Sequence, residues 1–205
     1  MAKISIINYG MGNIWSVRNA LDYLNISHNT INKATEFKNT EMFILPGVGS
    51  FKKAMENIID MKFLEEINEN ILIKRKKILG ICLGMQLLCK SSDEDGNTLG
   101  LNYFKNDITN INIIDNTLQV PHIGFNRISN ISKSNLFKNI PEDNNFYFVH
   151  SHCLIEKDKD FSCYTTKYNF EFISSFENNN IFGTQFHPEK SQNDGLKILQ
   201  NFYDL

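Results

Sequence analysis

Ile78-Leu79-Gly80-Ile81-Cys82-Leu83-Gly84 is a short apolar run that turns at a cysteine between two glycines and passes into a stretch, Leu83 to Lys90, that reads as a helix. A helical stretch with apolar Leu64, Ile67 and Ile71 precedes it. Toward the N-terminus the same order occurs twice more. Ile4 to Asn8 ends in the turn Tyr9-Gly10-Met11-Gly12-Asn13, after which Val17, Leu21 and Leu24 recur at helical spacing. Met42-Phe43-Ile44-Leu45 runs into Pro46-Gly47-Val48-Gly49, followed by Phe51, Met55, Ile58 and Ile59 on one expected helical face. Alternating strands and helices predict an α/β fold: a doubly wound, mostly parallel central sheet flanked by helices, with ligands at the carboxyl ends of its strands.

Beyond about Asp95 the pattern changes to short β-type runs, which adds antiparallel strands to the second half. They are Ile108–Ile114, Phe146–Leu154, Ser162–Tyr168, Phe172–Phe176 and Ile181–Phe186. A closing helix from Gly195 to Leu205 is expected to pack through Leu196, Leu199 and Tyr203. No internal repeat or low-complexity linker interrupts the chain.

At 205 residues the chain fits one domain with a single core. A hydrophobic fraction of 41% and a charged fraction of 21% fit a globular protein, and no run approaches the ~20 apolar residues of a membrane-spanning helix. The start, Met1-Ala2-Lys3 and then Ile4, leaves no room for an export signal. A net charge of −2 offers no broad basic field for nucleic acid. The basic run Lys74-Arg75-Lys76-Lys77 reads as a solvated helix end, where cations complement the helix dipole. Cys82, Cys89, Cys153 and Cys163 have neither zinc-site spacing nor the density of a disulfide scaffold, so a reduced, cytoplasmic setting is expected.

Gly80-Ile81-Cys82-Leu83-Gly84 has the form of a nucleophile elbow. Glycines on both sides admit the tight backbone, and the N-terminus of the following helix favours a thiolate. Taken alone, Cys82 reads equally well as a small core cysteine. A base is needed beside it, and His187-Pro188-Glu189 offers an imidazole with a carboxylate two residues on to orient it. Alone, that segment reads as a loop histidine beside a proline. In Pro46-Gly47-Val48-Gly49, two glycines let the backbone approach a ligand, and the N–H groups of Val48 and Leu83 are the expected oxyanion donors. An ordinary strand-to-helix turn has the same composition. His122, His150 and His152 lack accompanying ligand spacing, so no metal site is expected.

Gly80-Ile81-Cys82-Leu83-Gly84-Met85-Gln86 and Gln185-Phe186-His187-Pro188-Glu189 resemble the two signatures of class I glutamine amidotransferases. Within that group, Pro46 to Phe51, Pro121 to Asn126, Phe146 to Ser151 and Glu189-Lys190-Ser191 resemble the glutaminase subunits of imidazole glycerol phosphate synthase. The likeness runs from the Gly10-Met11-Gly12-Asn13 turn to the last helix, and implies one amidotransferase domain over residues 1–205. It makes Cys82 the nucleophile, His187 the general acid and base, and Glu189 its orienter. It places Gly49, Gln86, Glu94, His150 and Ser151 around glutamine, with Glu94 suited to the α-ammonium. Asn13, Phe125, Tyr147 and Lys190 would face a (β/α)₈ cyclase subunit, near the ammonia passage of a heterodimer. No metal or organic cofactor is implied. Phe125 stands where the family commonly has tryptophan, and His152 where it has another aromatic residue.

The activity this implies is hydrolysis of glutamine to glutamate and ammonia, the ammonia passing to the cyclase for histidine biosynthesis. Phe125 and His152 keep a second reading open, a glutaminase serving a sugar amidotransferase of surface-polysaccharide biosynthesis. A non-catalytic scaffold of the same fold and a cysteine peptidase or other thiol hydrolase are the competing classes.

Overall fold

The computed structural model describes residues 3–205; the Met1-Ala2 start, on which the reading of no export signal rests, lies outside them. Strand β1 (Ile4–Ile7) is followed by helix α1 (Ile14–Tyr23) and β2 (His28–Ile31). Then come β3 (Met42–Gly47), α2 (Phe51–Asp60), α3 (Phe63–Asn68) with a π turn over Glu69–Ile73, β4 (Lys77–Cys82) and α4 (Leu83–Leu87). The second half holds β5 (Cys89–Ser92), β6 (Thr98–Leu99), β7 (Phe104–Asn110), α5 (Ile111–Ile114), β8 (His122–Asn126), β9 (Phe146–His150) and β10 (His152–Leu154). It closes with β11 (Ser162–Tyr168), β12 (Phe170–Asn178), β13 (Ile181–Thr184) and α6 (Gln192–Asp204).

The main sheet runs β2-β1-β3-β4-β13-β12-β10-β7-β5-β6, with β11 paired to β12. From β2 to β13 every pairing is parallel; β12, β10 and β11 add the antiparallel part. Strand alternation divides the core between the two faces. Ile4, Ile6, Ile44, Leu79 and Ile81 pack with Val17 and Leu21 of α1 and Ile198, Leu199 and Phe202 of α6. Ile7, Phe43, Leu45 and Ile78 face Phe51, Met55 and Ile58 of α2 and Phe63 and Ile67 of α3. A fully buried branched side chain of this kind contributes about 1.5–3 kcal/mol, so the two layers hold the sheet from both sides. This is the doubly wound α/β arrangement expected from the repeated strand-turn-helix units.

Several elements differ in extent from the sequence expectation, some through tertiary pairing and some through local capping. The helix expected over Leu83 to Lys90 stops at Leu87, and Cys89–Ser92 becomes a strand because Cys89 pairs with Phe104. The carbonyls of Leu87 and Leu88 then accept from Leu101 and from Tyr103 and Phe104. The run Ile108–Ile114 breaks at Asn110, whose Oδ1 accepts from the Asn112 N–H and caps the turn α5. Phe146–Leu154 divides at Ser151: β9 pairs with β8 in a separate two-stranded ribbon, and β10 joins the main sheet. The last helix begins at Gln192 and packs through Gly195, Ile198, Leu199 and Phe202, with Leu196 and Tyr203 only partly buried. On α2, Ala54 takes the core position expected of Ile59, which is exposed. The helical stretch before β4 ends at Ile73 with Lys74 as its C-cap, so the basic run begins at a helix end as expected and enters β4 at Lys77.

Among the described residues no helix is long and apolar enough to cross a membrane. All four cysteines are free thiols.

Candidate active site

Cys82 ends β4 with φ 53° and ψ −110°, a conformation strongly disfavoured for a residue with a Cβ. The surroundings impose it. A Cβ on Gly80 would lie 2.7 Å from the backbone of Gly84 and Met85, and one on Gly84 would collide with the Leu45 carbonyl. Only glycine at both positions lets α4 start this close to β3 and β4. The elbow therefore projects the sulfur beyond the carboxyl ends of the parallel strands, at the first turn of α4.

The sulfur opens onto a cavity of about 570 Å³. Val48, Gly49, Leu83, Gln86, Glu94, His150, Ser151, His187 and Lys190, all singled out in the sequence, line it together with Cys82. Ser50, Pro121, Val149 and His152 line it as well and were not singled out as pocket residues. His152 had the one usable signal, its departure from the family pattern.

His187 lies beyond the end of β13, on the loop that leads into a short turn over Pro188–Lys190. Its backbone is clamped on both sides: its N–H donates to the Tyr147 carbonyl at 2.9 Å, and its carbonyl accepts from Ser191 Oγ at 2.6 Å. Glu189 Oε1 lies 2.8 Å from His187 Nδ1, and both side chains are almost fully buried. A carboxylate only accepts, so Nδ1 carries the proton. Nε2 is buried and has no protein hydrogen-bond partner among the described residues. Burial works against a charged imidazole here, but the Cys82 sulfur and the Glu189 carboxylate outweigh it and raise the ring to about 10.

Two further groups touch the sulfur. Gln185, fully buried, donates from Nε2 to Cys82 Sγ at 3.7 Å and accepts at Oε1 from Gln86 Nε2 at 3.0 Å. The Cys82 thiol also lies 3.9 Å from the Val149 carbonyl. Gln185 belongs to the quoted signature, yet nothing in the sequence marked it as a sulfur contact; a polar residue wholly enclosed after an apolar strand is legible only once the strand is placed.

Glu94 Oε2 accepts from the Phe51 N–H at 2.8 Å, at the N-terminus of α2, which leaves Oε1 free. Beside it Ser50 Oγ caps α2 by accepting from the Lys53 N–H and donates to Asp95. His150 differs from its expected part. Its Nδ1 donates to the His152 carbonyl at 2.9 Å, and its Nε2 must then accept from His122 Nδ1 at 3.0 Å. Burial pushes His150 down to about 3 and His122 down to about 4, so both are neutral. With both ring nitrogens engaged, His150 presents ring surface and backbone to the cavity.

Of the residues expected at a partner interface, three form one group. Phe125 and Tyr147 face each other across β8 and β9 with ring centroids 5.5 Å apart, and Lys190 Nζ lies 5.9 Å over the Tyr147 ring. Phe125 and Ile123 are exposed on the outer side of this ribbon. Asn13 serves locally as the N-cap of α1, its Oδ1 accepting from the Ser16 N–H at 3.2 Å. Helix α1 packs against the Pro188–Lys190 turn, which brings Asn13 to the same end of the sheet.

The family model for "Glutamine amidotransferase class-I" matches residues 5–205. The chain belongs to the class I glutamine amidotransferase family. A relative from Parasynechococcus marenigrum (strain WH8102), "Imidazole glycerol phosphate synthase subunit HisH 1", is 40% identical over 98% of this chain and 97% of its own length. "Imidazole glycerol phosphate synthase subunit HisH" from Sulfurimonas denitrificans is 43% identical, covering 97% of this chain and 96% of the relative. Among solved structures, that of PurLQS from Thermotoga maritima superposes with a TM-score of 0.74 at 18% identity, over 98% of this chain and 97% of that one, and so shares the amidotransferase fold.

Proposed function

We propose that Cys82 is the nucleophile, His187 the general acid and base, and Glu189 the orienting carboxylate of a glutaminase contained in residues 1–205. Cys82 Sγ attacks the side-chain amide carbon of glutamine, the oxyanion forms opposite the N–H groups of Val48 and Leu83, and His187 delivers the proton that leaves with ammonia. Water, deprotonated by the same imidazole, then hydrolyses the thioester to glutamate. The observation that carries this reading is the shared cavity of Cys82 and His187, with Glu189 bonded to the far nitrogen of the ring. Gly49, Gln86, Glu94, His150 and Ser151 would surround the substrate, with Glu94 Oε1 on its α-ammonium.

The protein is the glutamine-hydrolysing subunit of imidazole glycerol phosphate synthase, acting in histidine biosynthesis. Full-length likeness to subunits of that enzyme favours this pathway over a surface-polysaccharide amidotransferase. The finer reading is that a (β/α)₈ cyclase subunit docks on Phe125, Tyr147, Lys190 and Asn13 and receives the ammonia, in the cytoplasm. Docking next to the Val48 and Gly49 turn would order the oxyanion donors and raise a low basal activity. Co-purification of the bound subunit, followed by glutamate release with and without it, tests both parts. A chain that releases no glutamate in the complex, or whose Cys82→Ala variant still does, overturns the assignment.

A further inference from the structure

The end of β3 has a sheet neighbour on one side only. Its ladder with β1 stops at Ile6 and Ile44, while its ladder with β4 continues to Gly47 and Cys82. Past the β1 ladder the Pro46 carbonyl finds its partner in Tyr9, two residues beyond the end of β1. The Tyr9 hydroxyl donates to it at 2.8 Å, with the residue 1% exposed. Tyr9 is itself held from α2, where Asn57 Nδ2 donates to its carbonyl at 3.1 Å. A Cβ on Gly47 would collide with the Tyr9 hydroxyl and lie 2.8 Å from Leu83 Cβ and 2.9 Å from the Gly84 nitrogen. The phenol oxygen and the first turn of α4 thus converge beside Gly47, and only glycine leaves room for both. Burial, with the Cys82 sulfur adding to it, raises the Tyr9 phenol far above its ordinary value, so the hydroxyl remains a donor across the neutral range.

We propose that Tyr9 is a positioning residue for the oxyanion donor at Val48: by holding the peptide between Pro46 and Gly47, it fixes the direction of the next one, which carries the Val48 N–H. This rests on the glutaminase reading and on the oxyanion role assigned to Val48. Val48 and Gly49 are exposed at the cavity, and the glycines on either side of Val48 let the turn swivel unless its ends are held. The far end is fixed by Ser50 Oγ, which caps α2, and by the Phe51 N–H, which donates to Glu94. Tyr9 fixes the near end. An oxyanion donor is effective when it is already in place as the charge forms. Loosening the near end should therefore slow the steps that pass through a tetrahedral oxyanion and spare those that do not. Alkylation of Cys82 by iodoacetamide is one of the latter: sulfur displaces iodide at a saturated carbon, and no oxyanion forms.

The test is Tyr9→Phe, which removes the hydroxyl and keeps the ring, assayed in the complex with the co-purified subunit. Because the donor is loosened and not lost, kcat for glutamate release should fall roughly tenfold, short of the ~10²–10³ that follows removal of a whole oxyanion donor. KM for glutamine and the rate of Cys82 alkylation should each stay within about twofold of the natural chain. Asn57→Ala frees Tyr9 at its carbonyl and leaves the hydroxyl in place. It should show the same split at about threefold in kcat, and it decides alone if Tyr9→Phe does not fold. An unchanged kcat, a parallel fall in alkylation, or a matching rise in KM overturns the role of Tyr9 and leaves the glutaminase standing. No glutamate release by the natural complex removes the glutaminase and this role together.

Discussion

Gln185 Nε2 points at Cys82 Sγ from 3.7 Å, and the same amide accepts from Gln86 at its other end. A donor directed at sulfur stabilises its anionic form, and hydrogen bonds of this kind contribute about 1 kcal/mol. Replacement of Gln185 by leucine should slow alkylation of Cys82 by iodoacetamide about fivefold. Peptide mass spectrometry resolves Cys82 from the other three thiols. An unchanged rate would mean that the amide serves only to hold Gln86.

The strained elbow gives a second expectation. Cys82→Ala keeps the Cβ and hence the strain, whereas Cys82→Gly removes it. Both variants should lose glutamate release, and the glycine variant should be the more stable of the two by about 1–2 kcal/mol in urea denaturation. Equal midpoints would show that the backbone at this position is not under strain.

Glu189 touches the ring from behind and does not line the cavity. Glu189→Gln should therefore lower kcat by about a hundredfold or more while KM for glutamine stays near its original value, because the imidazolium loses its counter-charge and the ring its fixed tautomer. A comparable rise in KM would place Glu189 in substrate binding instead.

Acid should unfold the protein through its buried histidine pair. His122 and His150 have folded values below the ordinary imidazole value, so the unfolded chain binds more protons there as pH falls. Their contribution is complete above about pH 6.5 and is lost as pH drops toward 4 and then 3, on the order of a few kcal/mol each. His187 has the opposite sign: its raised value adds stability that is fully present below about pH 6.5 and is lost as pH climbs through about 10. His122→Gln keeps a donor for His150 without titrating, and should flatten the loss of urea stability between about pH 6.5 and 4.5. A slope identical to that of the natural chain would assign acid sensitivity elsewhere.

The parallel half of the fold was legible because its strands are short apolar runs ended by glycine-rich turns, and a strand buried on both faces needs nothing more specific than Ile4 to Ile7 or Met42 to Leu45. The second half was less so. His28-Asn29-Thr30-Ile31 forms β2 at the sheet edge, where one apolar residue is enough and local pattern is silent. Phe146 to Leu154 reads as one strand because a change of sheet at Ser151 leaves no mark in hydrophobicity. At the site, the elbow and the His187-Pro188-Glu189 segment are local and could be read directly. The Gln185, His122 and His152 contacts join residues far apart in the chain, and only coordinates supply them. The family resemblance implies an interface role for Asn13, while its local task as the cap of α1 follows from its spacing to Ser16.

The β8–β9 ribbon assigns its two sides by strict alternation. His122, Phe148 and His150 point inward, and Ile123, Phe125, Tyr147 and Val149 point the other way. Inserting a single residue into either strand would trade the sides, turning a pocket histidine to water and an outward aromatic into the core. Drift in this ribbon is thus confined to steps of two, and whatever leans on its outer surface is one peptide away from the chamber behind it.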